Sequence, residues 1–586
     1  MPTEDPPLPP FNSTGEEPMS YALFPENKGY FYTHVAFMIL AFWILMPIGI
    51  MFGIAKSSFH VPTQILAFLV ALLGYFFGHL YAHSTPHLYK GNSHHKLGWI
   101  IFLFMIAQLA VGVVRKIANA VGKSQKSVHY QVLDHSGDDD NDEETVRLVR
   151  RSSSILSQHG GDNHSEGSIE TLHHNGGYDQ HPKKENDDEH DDIIIQQQHS
   201  EQDEEEEGEL LLDDEDPVNL YEEEKPSLWM RGINVMLPYI PKMIKKAFVY
   251  TAYNPFTKTV CRYYHSIMGR VFVVLIFTQT LSGLVVYHGV CREWQVLGCI
   301  AHLIKGGIFF FYGMLTFGRY LGAFAEKGWA WNYVQGGGAK FSFEFIECGL
   351  IFTYGITNTW MEHFGQDSAW THKDFEHASL AFMWWWCGLI GLLVESRSVR
   401  RLLEKSILTL NTDKEAEKKM TKPTHSFNPF PALTVMITGI SMGNHHQETQ
   451  YGTQVHYLWG LLLALAALCR ILTYVFLFRN TPTSIQPSRP PTELLGAFCL
   501  IAGSILFMAS NAGTMTWMRR LNVDTMFMLN VCVALTSITL CYVAGLMILK
   551  GWAWNREQRK KEARRQNNGP FNNTMRRTDR FIGQDA

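Results

Sequence analysis

The chain has 586 residues, of which 46% are hydrophobic and only 18% are charged. Soluble domains carry about 25% charged residues, so much of this chain is unusually apolar. The mean hydropathy is nevertheless −0.08, because the segment from Asp134 to Glu224 holds 31 of the 56 acidic residues against five basic ones. That segment carries a net charge of −26 and the rest of the chain +20. This composition excludes a single soluble enzyme and a nucleic-acid binder defined by overall basicity, and it indicates an integral membrane protein with an acidic insert.

Eleven apolar segments approach or exceed the length of about 20 residues that a helix needs to cross a bilayer. They lie at residues 33–54, 61–82, 97–118, 266–287, 297–318, 341–360, 377–396, 428–444, 455–478, 492–512 and 525–549. The predicted fold class is therefore all-α, a polytopic membrane protein with a four-helix bundle and a seven-helix bundle, and its first partner is the lipid bilayer. Lys and Arg follow every second segment, which predicts an extracytosolic N-terminus and a cytosolic C-terminus.

The predicted domain organisation follows from these segments and from the charge pattern. We expect an extracytosolic tail (1–30), three core spans (31–118), an acidic His-rich cytosolic insert (119–245), the fourth core span (246–290), a C-terminal membrane domain (291–550) and a basic cytosolic tail (551–586). Between Asp134 and Glu224 the insert has almost no aromatic residues, so we expect it to be disordered. Its histidines and acids could collect divalent metals weakly, but a solvated spacer is the simpler interpretation. Most of the nine cysteines lie in apolar segments, so no disulfide framework is expected.

Each of the first four spans begins with a histidine: His34, His60, His94 and His265. Because consecutive spans run in opposite directions, His34 and His94 are expected near the outer face. His60 and His265 are expected near the inner face. Two histidines on facing helices can hold a haem inside a bundle, and two haems would form an electron path across the bilayer. The alternative is that these histidines lie at the polar interface and titrate there.

Residues 31–118 and 262–288 resemble the four-helix core of cytochrome b-561 and ferric-reductase-like membrane proteins. The resemblance rests on short patterns that begin at these histidines: His34 with Pro47 and Gly49, His60 with Gln64, His94 with Gly98 and Gln108, and His265 with Gly269 and Arg270. It implies two haem b groups, one bound by His34 and His94 and one bound by His60 and His265. The chain departs from that family by placing about 145 residues between the third and fourth spans.

The second half holds another set of polar residues near the predicted outer face: His302, Glu362, His363, Glu376, His377, His445, His446 and His456. These residues come from five helices and could meet at one end of a bundle, where zinc, copper or iron would suit such ligands. A proton relay is a second possibility, and interfacial hydrogen bonding is a third. On the inner side Glu344 and Glu347 lie one turn apart, and we expect ion pairs with Arg319 or Lys305.

The second half also resembles the C-terminal region of the fungal YTP-like integral membrane proteins. The resemblance rests on the segments that begin at His302, Phe317, Gly328 and Leu393. With the cytochrome-like N-terminal part, it covers nearly the whole chain outside the insert and the tails. For the activity, this resemblance implies a similarity to electron-transport proteins.

Three functions remain open from the sequence. The first is a transmembrane electron carrier of cytochrome b-561 type, with metal reduction as the enzymatic possibility. The chain has no nucleotide-binding glycine loop, so an unidentified donor and acceptor must complete such a pathway. The second is a metal-ion or proton transporter or channel built by the seven-helix half, with a haem-free N-terminal bundle. The third is a non-catalytic membrane scaffold that uses the insert for docking.

Overall fold

The computed structural model describes residues 5, 7–11, 19–133, 254–335, 339–361, 369–408, 426–445 and 447–567, and these residues contain helices and no strand. The helices are α1 (Lys28–Ile54), α2 (His60–Ser84), α3 (Ser93–Leu133), α4 (Pro255–His288), α5 (Gln295–Leu321), α6 (Phe343–Met361), α7 (His372–Glu395), α8 (Arg397–Leu408), α9 (Phe430–Gly443), α10 (Gln450–Arg479), α11 (Pro491–Ala509), α12 (Ala512–Arg520) and α13 (Thr525–Asn567). The protein is therefore a polytopic helical membrane protein.

Within the described residues, nine helices are long and apolar enough to cross a membrane, and not the eleven that the sequence predicts. The two that fall short are α6 and α9. Helix α9 has 14 residues, a length of about 21 Å, which is less than the ~30 Å hydrocarbon core. Helix α6 has 19 residues and carries Glu344 and Glu347 in its first two turns. Both still form helices at the predicted positions.

The chain divides into two units, one formed by Met1–Val113 with Thr259–Ala586 and the other by Val114–Lys258. In the first unit α1 packs on α2, α5 on α11, α6 on α7, and α10 on both α9 and α11. Helix α13 packs on α1, where the Tyr542 hydroxyl donates to the Trp43 carbonyl oxygen at 2.7 Å. The helices assigned to the two predicted bundles thus lie mainly in one unit.

The second unit includes the C-terminal part of α3, which continues as a helix to Leu133, beyond the predicted end of the third span at residue 118. No proline interrupts the chain there, so the helix has no local signal to stop. The segment from Asp134 to Glu224, which the sequence predicts to be disordered, lies outside the described residues.

A disulfide joins Cys291 and Cys299 across the connection between α4 and α5. The sequence predicts no disulfide framework, because the number of cysteines is odd and most of them lie in apolar segments. These two residues differ from the others because Cys291 lies in the connection itself and Cys299 in the first turns of α5. The disulfide therefore lies where α4 ends and α5 begins.

Candidate functional site

The four histidines near the starts of α1, α2, α3 and α4 lie in two pairs. The ring centres of His34 and His94 are 6.4 Å apart, with the ring planes at 87°. Those of His60 and His265 are 6.2 Å apart, with the planes at 84°. The structure thus brings together the two members of each expected pair, α1 with α3 and α2 with α4. Their role as ligands remains a prediction.

The distance between the ring centres of each pair agrees with two imidazoles on one metal ion. An imidazole nitrogen binds a transition metal at about 2.0 Å and lies about 1.1 Å from its ring centre, so rings on opposite sides of one ion have centres about 6.2 Å apart. A direct hydrogen bond of about 2.9 Å between two ring nitrogens would give about 5.1 Å. Both pairs match the first distance. By contrast His79 and His83, one turn apart on α2, have ring centres 4.3 Å apart.

The backbone of α1 and α2 fixes which nitrogen of each ring carries hydrogen. Nδ1 of His34 lies 2.8 Å from the carbonyl oxygen of Gly74 on α2. Nδ1 of His60 lies 2.7 Å from the carbonyl oxygen of Gly49 on α1. A carbonyl oxygen only accepts hydrogen bonds, so Nδ1 is the protonated nitrogen and Nε2 carries the lone pair that a metal needs.

Helices α3 and α4 hold the other two rings through a glutamine on the facing helix. Nδ1 of His94 lies 3.0 Å from the Gln279 carbonyl oxygen, and Gln279 Nε2 donates to the His94 carbonyl oxygen at 2.9 Å. In the reciprocal contact, Gln108 Nε2 donates to the His265 carbonyl oxygen at 3.0 Å and lies 2.9 Å from Nδ1 of His265. These contacts fix the positions of both rings.

Each ring also lies against a glycine of the neighbouring helix. A Cβ at Gly78 would lie 2.6 Å from Nδ1 of His34, and one at Gly283 would lie 3.0 Å from Cε1 of His94. A Cβ at Gly53 would lie 2.9 Å from the His60 ring, and one at Gly112 would lie 4.0 Å from the His265 ring. A larger residue at these glycine positions would take the space that the rings occupy.

One spacing relates the four helices. Each helix carries, besides its own histidine, two residues that contact a histidine ring of a neighbouring helix. In α2, α3 and α4 these two residues lie 14 and 18 positions after the helix's own histidine: Gly74 and Gly78, Gln108 and Gly112, and Gln279 and Gly283. In α1 the spacing is 15 and 19, from His34 to Gly49 and Gly53. The extra residue lies in a π-helical segment, Ile39–Leu45, because each π-turn holds one residue more than an α-turn. With the extra π-helical residue in α1, all four helices place corresponding residues against the histidine rings.

The two pairs lie at different depths along the helices. His60, a member of one pair, lies at the start of α2. Gly74, whose carbonyl oxygen contacts His34 of the other pair, lies 14 residues further along the same helix. That spacing corresponds to about 21 Å along the helix axis, within the ~30 Å thickness of the hydrocarbon core. Buried apolar side chains pack in the same four helices, among them Phe42, Ala71 and Ile276.

The described polar residues expected near one end of the second half make two sets of side-chain contacts. His302 on α5 and His456 on α10 form a third pair, with ring centres 6.2 Å apart and planes at 84°. In the other group Glu376 forms an ion pair with Nδ1 of His445, whose ring centre is 5.2 Å from that of His377.

Three members of the predicted set, Glu362, His363 and His446, lie outside the described residues. His372 joins the second group, with Nε2 3.1 Å from Glu376. Among the described residues no three His, Cys, Asp or Glu are placed to hold one metal ion. A single metal centre formed by all eight residues therefore remains a prediction.

Five charged side chains from α5, α6, α10 and α11 form a buried cluster. Arg470 Nε lies 2.7 Å from Glu493, and Arg470 Nη1 lies 3.5 Å from Glu347. Arg319 lies 3.9 Å from both Glu344 and Glu347. No side chain of the five is more than 8% exposed. Three carboxyl groups face two guanidinium groups, so the cluster is neutral only when it holds one further positive charge.

Sequence reasoning identified part of this cluster. Arg319 is one of the two partners expected for Glu344 and Glu347. Arg470 and Glu493 were missed, although each is the only charged residue inside its predicted apolar span. A lone charge in a membrane segment is costly unless it is paired, which is the signal that could have identified them.

Comparison with known proteins places the chain in a family. The family described as "Protein YTP1-like, C-terminal" matches residues 275–551, and a domain of unknown function, DUF2427, matches residues 15–118. The chain is 33% identical over 580 residues to the uncharacterized membrane protein C3B8.06 of Schizosaccharomyces pombe, covering 93% of this chain and 99% of that protein. The chain belongs to the YTP1-like family.

Two proteins of Saccharomyces cerevisiae are also similar to this YTP1-like chain. The uncharacterized membrane protein YCR061W is 36% identical over 295 residues, covering 47% of this chain and 46% of that protein. Protein YTP1 is 26% identical over 240 residues, covering 41% of this chain and 44% of that protein. No solved structure matches the chain. It is an integral membrane protein of the YTP1-like family, with fungal relatives.

Proposed function

We propose that this YTP1-like protein is a transmembrane electron carrier whose helices α1–α4 hold two haem b groups. The observation that carries the proposal is the geometry of the pairs: ring centres 6.2 Å and 6.4 Å apart, as two imidazoles on one metal require. When bound, haem supplies reversible one-electron transfer. An unidentified electron donor and acceptor complete the pathway.

The residues around His34 and His60 fit such a group. The carbonyl oxygens of Gly74 and Gly49 keep Nδ1 of His34 and His60 protonated, so each Nε2 is the ligand atom. Neutral imidazoles need no counter-charge inside the membrane. The absence of a side chain at Gly78 leaves space beside one ring.

We also propose that the N-terminus is extracytosolic and the C-terminus cytosolic. His94 contacts Gly283, near the end of α4 that leads into the Cys291–Cys299 loop. The His34–His94 pair therefore lies on the disulfide side, and oxidising conditions are found outside the cytosol. In sealed vesicles with the cytosolic side outward, an N-terminal epitope should resist protease and a C-terminal epitope should be cleaved. The reverse result would contradict this orientation.

Single-histidine variants test the haem assignment. We expect His94→Ala and His60→Ala each to lose one haem equivalent per chain, and the double variant to lose two. His79→Ala is the matched control, because His79 lies on an exposed face of α2. The readout is the pyridine haemochrome ratio of purified full-length protein. Unchanged haem content in both single variants would overturn the proposal.

A second candidate function is proton or cation transfer through the C-terminal helices. The excess of one carboxyl group in the buried cluster favours it, because such a group in a membrane marks an ion or proton path. Liposomes with the full-length protein and an internal pH dye should lose an imposed pH gradient faster than empty liposomes. Glu493→Gln should slow the loss, and Arg479→Gln, at the exposed end of α10, should not. Gradient loss that matches empty liposomes would exclude the function.

A further inference from the structure

The buried charged cluster of the C-terminal helices has one carboxyl group more than its guanidinium groups can balance. Glu344, Glu347 and Glu493 face Arg319 and Arg470. A net negative charge buried among membrane helices is costly unless it is neutralised. We propose that the cluster binds one exchangeable proton and that Glu344 carries it. The inference rests on the second candidate function, whose ligand and site it names. Proton binding is measured without transport, so the failure of one is distinguishable from the failure of the other.

Two of the three carboxyl groups are held as carboxylates by short contacts. Oε1 of Glu493 forms an ion pair with Arg470 Nε at 2.7 Å. Oε1 of Glu347 accepts a hydrogen bond from the Tyr312 hydroxyl at 2.7 Å and lies 3.5 Å from Arg470 Nη1. A cation or a hydroxyl donor at such a short distance favours the ionised form of a carboxyl group. The extra proton therefore has its weakest competition at the third group.

Among the described residues, Glu344 has the longest contacts of the three carboxyl groups. Its Oε1 lies 3.9 Å from Arg319 Nη2 and 3.4 Å from the Tyr474 hydroxyl, beyond the ~2.7–2.9 Å of a charge-assisted hydrogen bond. Arg319 also depends less on this group, because its Nε donates to the Trp329 carbonyl oxygen at 2.7 Å and its guanidinium lies 3.7 Å from the Phe343 ring centre. Glu344 thus loses least on protonation, and the Tyr474 hydroxyl can accept its new hydrogen bond.

Charged and titratable groups surround Glu344 on five helices. They are Tyr312 and Arg319 on α5, Glu347 and Cys348 on α6, Glu395 on α7, Arg470 and Tyr474 on α10, and Glu493 on α11. The neutral tyrosine and cysteine side chains leave the balance of charge unchanged. Glu395 accepts hydrogen bonds from the hydroxyl groups of Ser342 and Ser426 and adds no positive charge. None of these groups therefore supplies the positive charge that the cluster needs.

A buried hydroxyl and a small cavity offer water a place beside the cluster. Thr316 on α5 is 1% exposed, and its hydroxyl makes no hydrogen bond to any residue that the structure describes. By contrast the buried Thr434 hydroxyl donates to the carbonyl oxygen one turn earlier at 2.7 Å. Thr316 lines a cavity with room for about one water molecule, which is also lined by Tyr312, Arg470 and Glu493. A water molecule bonded to Thr316 would make the proton of the cluster exchangeable.

Glu344 lies close to an exposed end of its helix. It is in the first turn of α6, and Lys340 and Phe341, just before that helix, are exposed. On α5, Arg319 lies 20 residues after Cys299 of the disulfide, about 30 Å along the helix axis. The cluster is therefore at the end of α5 that is far from the disulfide. In the orientation proposed above, its proton comes from the cytosolic side.

Infrared spectra of purified full-length protein at neutral pH test the inference. The carbonyl stretch of a protonated carboxyl group is separate from the bands of carboxylates, and its frequency differs between Glu and Asp. We expect one such band, which shifts in D2O because the proton exchanges. It should be lost in Glu344→Gln and change frequency in Glu344→Asp. Glu326→Gln and Glu326→Asp, at an exposed carboxyl group, are the matched controls and should leave the band unchanged.

A variant of the opposite carboxyl group tests the balance of charge. In Glu493→Gln two carboxyl groups face two guanidinium groups, so the extra proton should be released and the band lost. The Asp variants then decide which residue carried it, since only Glu344→Asp should change the frequency and Glu493→Asp should not. A band that keeps its frequency in Glu344→Asp would overturn the assignment to Glu344.

Thermal unfolding of the same samples keeps the test decisive. Gln has the shape of Glu and the charge of its protonated form, so Glu344→Gln should keep the wild-type midpoint at neutral pH. A midpoint well below that of the wild type would show that Glu344 is needed as a carboxylate, which would overturn the inference. A wild type without the band, whose midpoint rises with Na⁺ at constant ionic strength, would overturn it in favour of a metal cation. If the band is present and liposomes keep their pH gradient, the proton site stands and the second candidate function fails.

Discussion

His34 and Gly78 are in direct contact across α1 and α2: a Cβ added at Gly78 would lie 2.6 Å from Nδ1 of His34. The same nitrogen is held at 2.8 Å by the carbonyl oxygen of Gly74, one turn away. The ring cannot move away from a side chain at Gly78 without losing that hydrogen bond. The glycine is therefore part of the site, although it offers no ligand atom.

Gly78→Ala should displace the His34 ring and release the haem of the His34–His94 pair while the His60–His265 pair keeps its own. Gly269→Ala on α4 is the matched control, because a Cβ there would meet nothing within 4 Å. The haem-to-protein ratio of the two purified variants measures the effect. Full haem content in Gly78→Ala would contradict the role assigned to this contact.

The π-helical segment in α1 predicts an asymmetry between two single-residue deletions. Removing Ile44 from Ile39–Leu45 should convert the segment to regular α-helix and leave His34, Gly49 and Gly53 in phase. Removing Leu69 from the α-helical α2 should rotate His60 by about 100° relative to Gly74 and Gly78. Both residues are exposed to a similar extent, 43% and 52%.

We therefore expect haem to be retained when Ile44 is deleted and reduced when Leu69 is deleted, as read from the reduced absorption spectrum. Equal losses in the two deletions would show that the π-segment does not set the register of α1.

Arg470 is the central cation of the buried cluster. Its replacement by Ala would leave Glu347 and Glu493 without the guanidinium that lies 3.5 Å and 2.7 Å from them. Breaking a buried ion pair costs about 3–5 kcal/mol, so the midpoint of thermal unfolding should fall markedly. Arg479→Ala, at the exposed end of the same helix, should have little effect. Equal midpoints in the two variants would mean that the cluster does not stabilise the fold.

The N-terminal segment is held to α10 through Asp5. Its carboxylate accepts hydrogen bonds from the backbone N–H groups of Gln450 at 2.8 Å and Tyr451 at 2.9 Å. Burial alone would raise the pKa of Asp5, but these hydrogen bonds and the nearby Arg519 outweigh it and lower the pKa. A folded-state pKa below the unfolded value means that the stabilisation is present above the unfolded pKa and is lost as pH falls through the folded pKa.

As the pH falls from about 5 through the lowered pKa of Asp5, the midpoint of thermal unfolding of the wild type should therefore fall by more than that of Asp5→Asn. Comparing the pH slopes of the two unfolding midpoints provides the measurement. Parallel slopes would show that the Asp5 contact contributes nothing to stability.

The sequence was sufficient to place the helices and the four N-terminal histidines. Apolar runs of about 20 residues identify membrane helices, and alternating helix direction assigns His34 and His94 to one end. The number of membrane-crossing helices was less accessible, because the 341–360 and 428–444 runs match helices that are too polar or too short. Both segments form helices, and the predicted and observed numbers of membrane-crossing helices differ only because of the length and polarity of these two.

Other features could not be predicted from local sequence because they depend on tertiary contacts. Nothing in the apolar run Ile39–Leu45 distinguishes a π-turn from an α-turn. The extra residue becomes evident only when α1 is compared with the spacing of the other three helices. Likewise the pairing of Arg470 with Glu493 joins residues that are 23 positions apart, and the Cys291–Cys299 disulfide depends on how the α4–α5 connection turns.

The central claim is that paired histidines in this membrane protein bind haem. A dithionite-reduced minus oxidised visible spectrum of the purified full-length protein, recorded with its haem-to-protein ratio, tests it most directly. The account predicts a sharp b-type band, with two haems per chain from the pairs of α1–α4. A featureless spectrum from well-folded protein would contradict it.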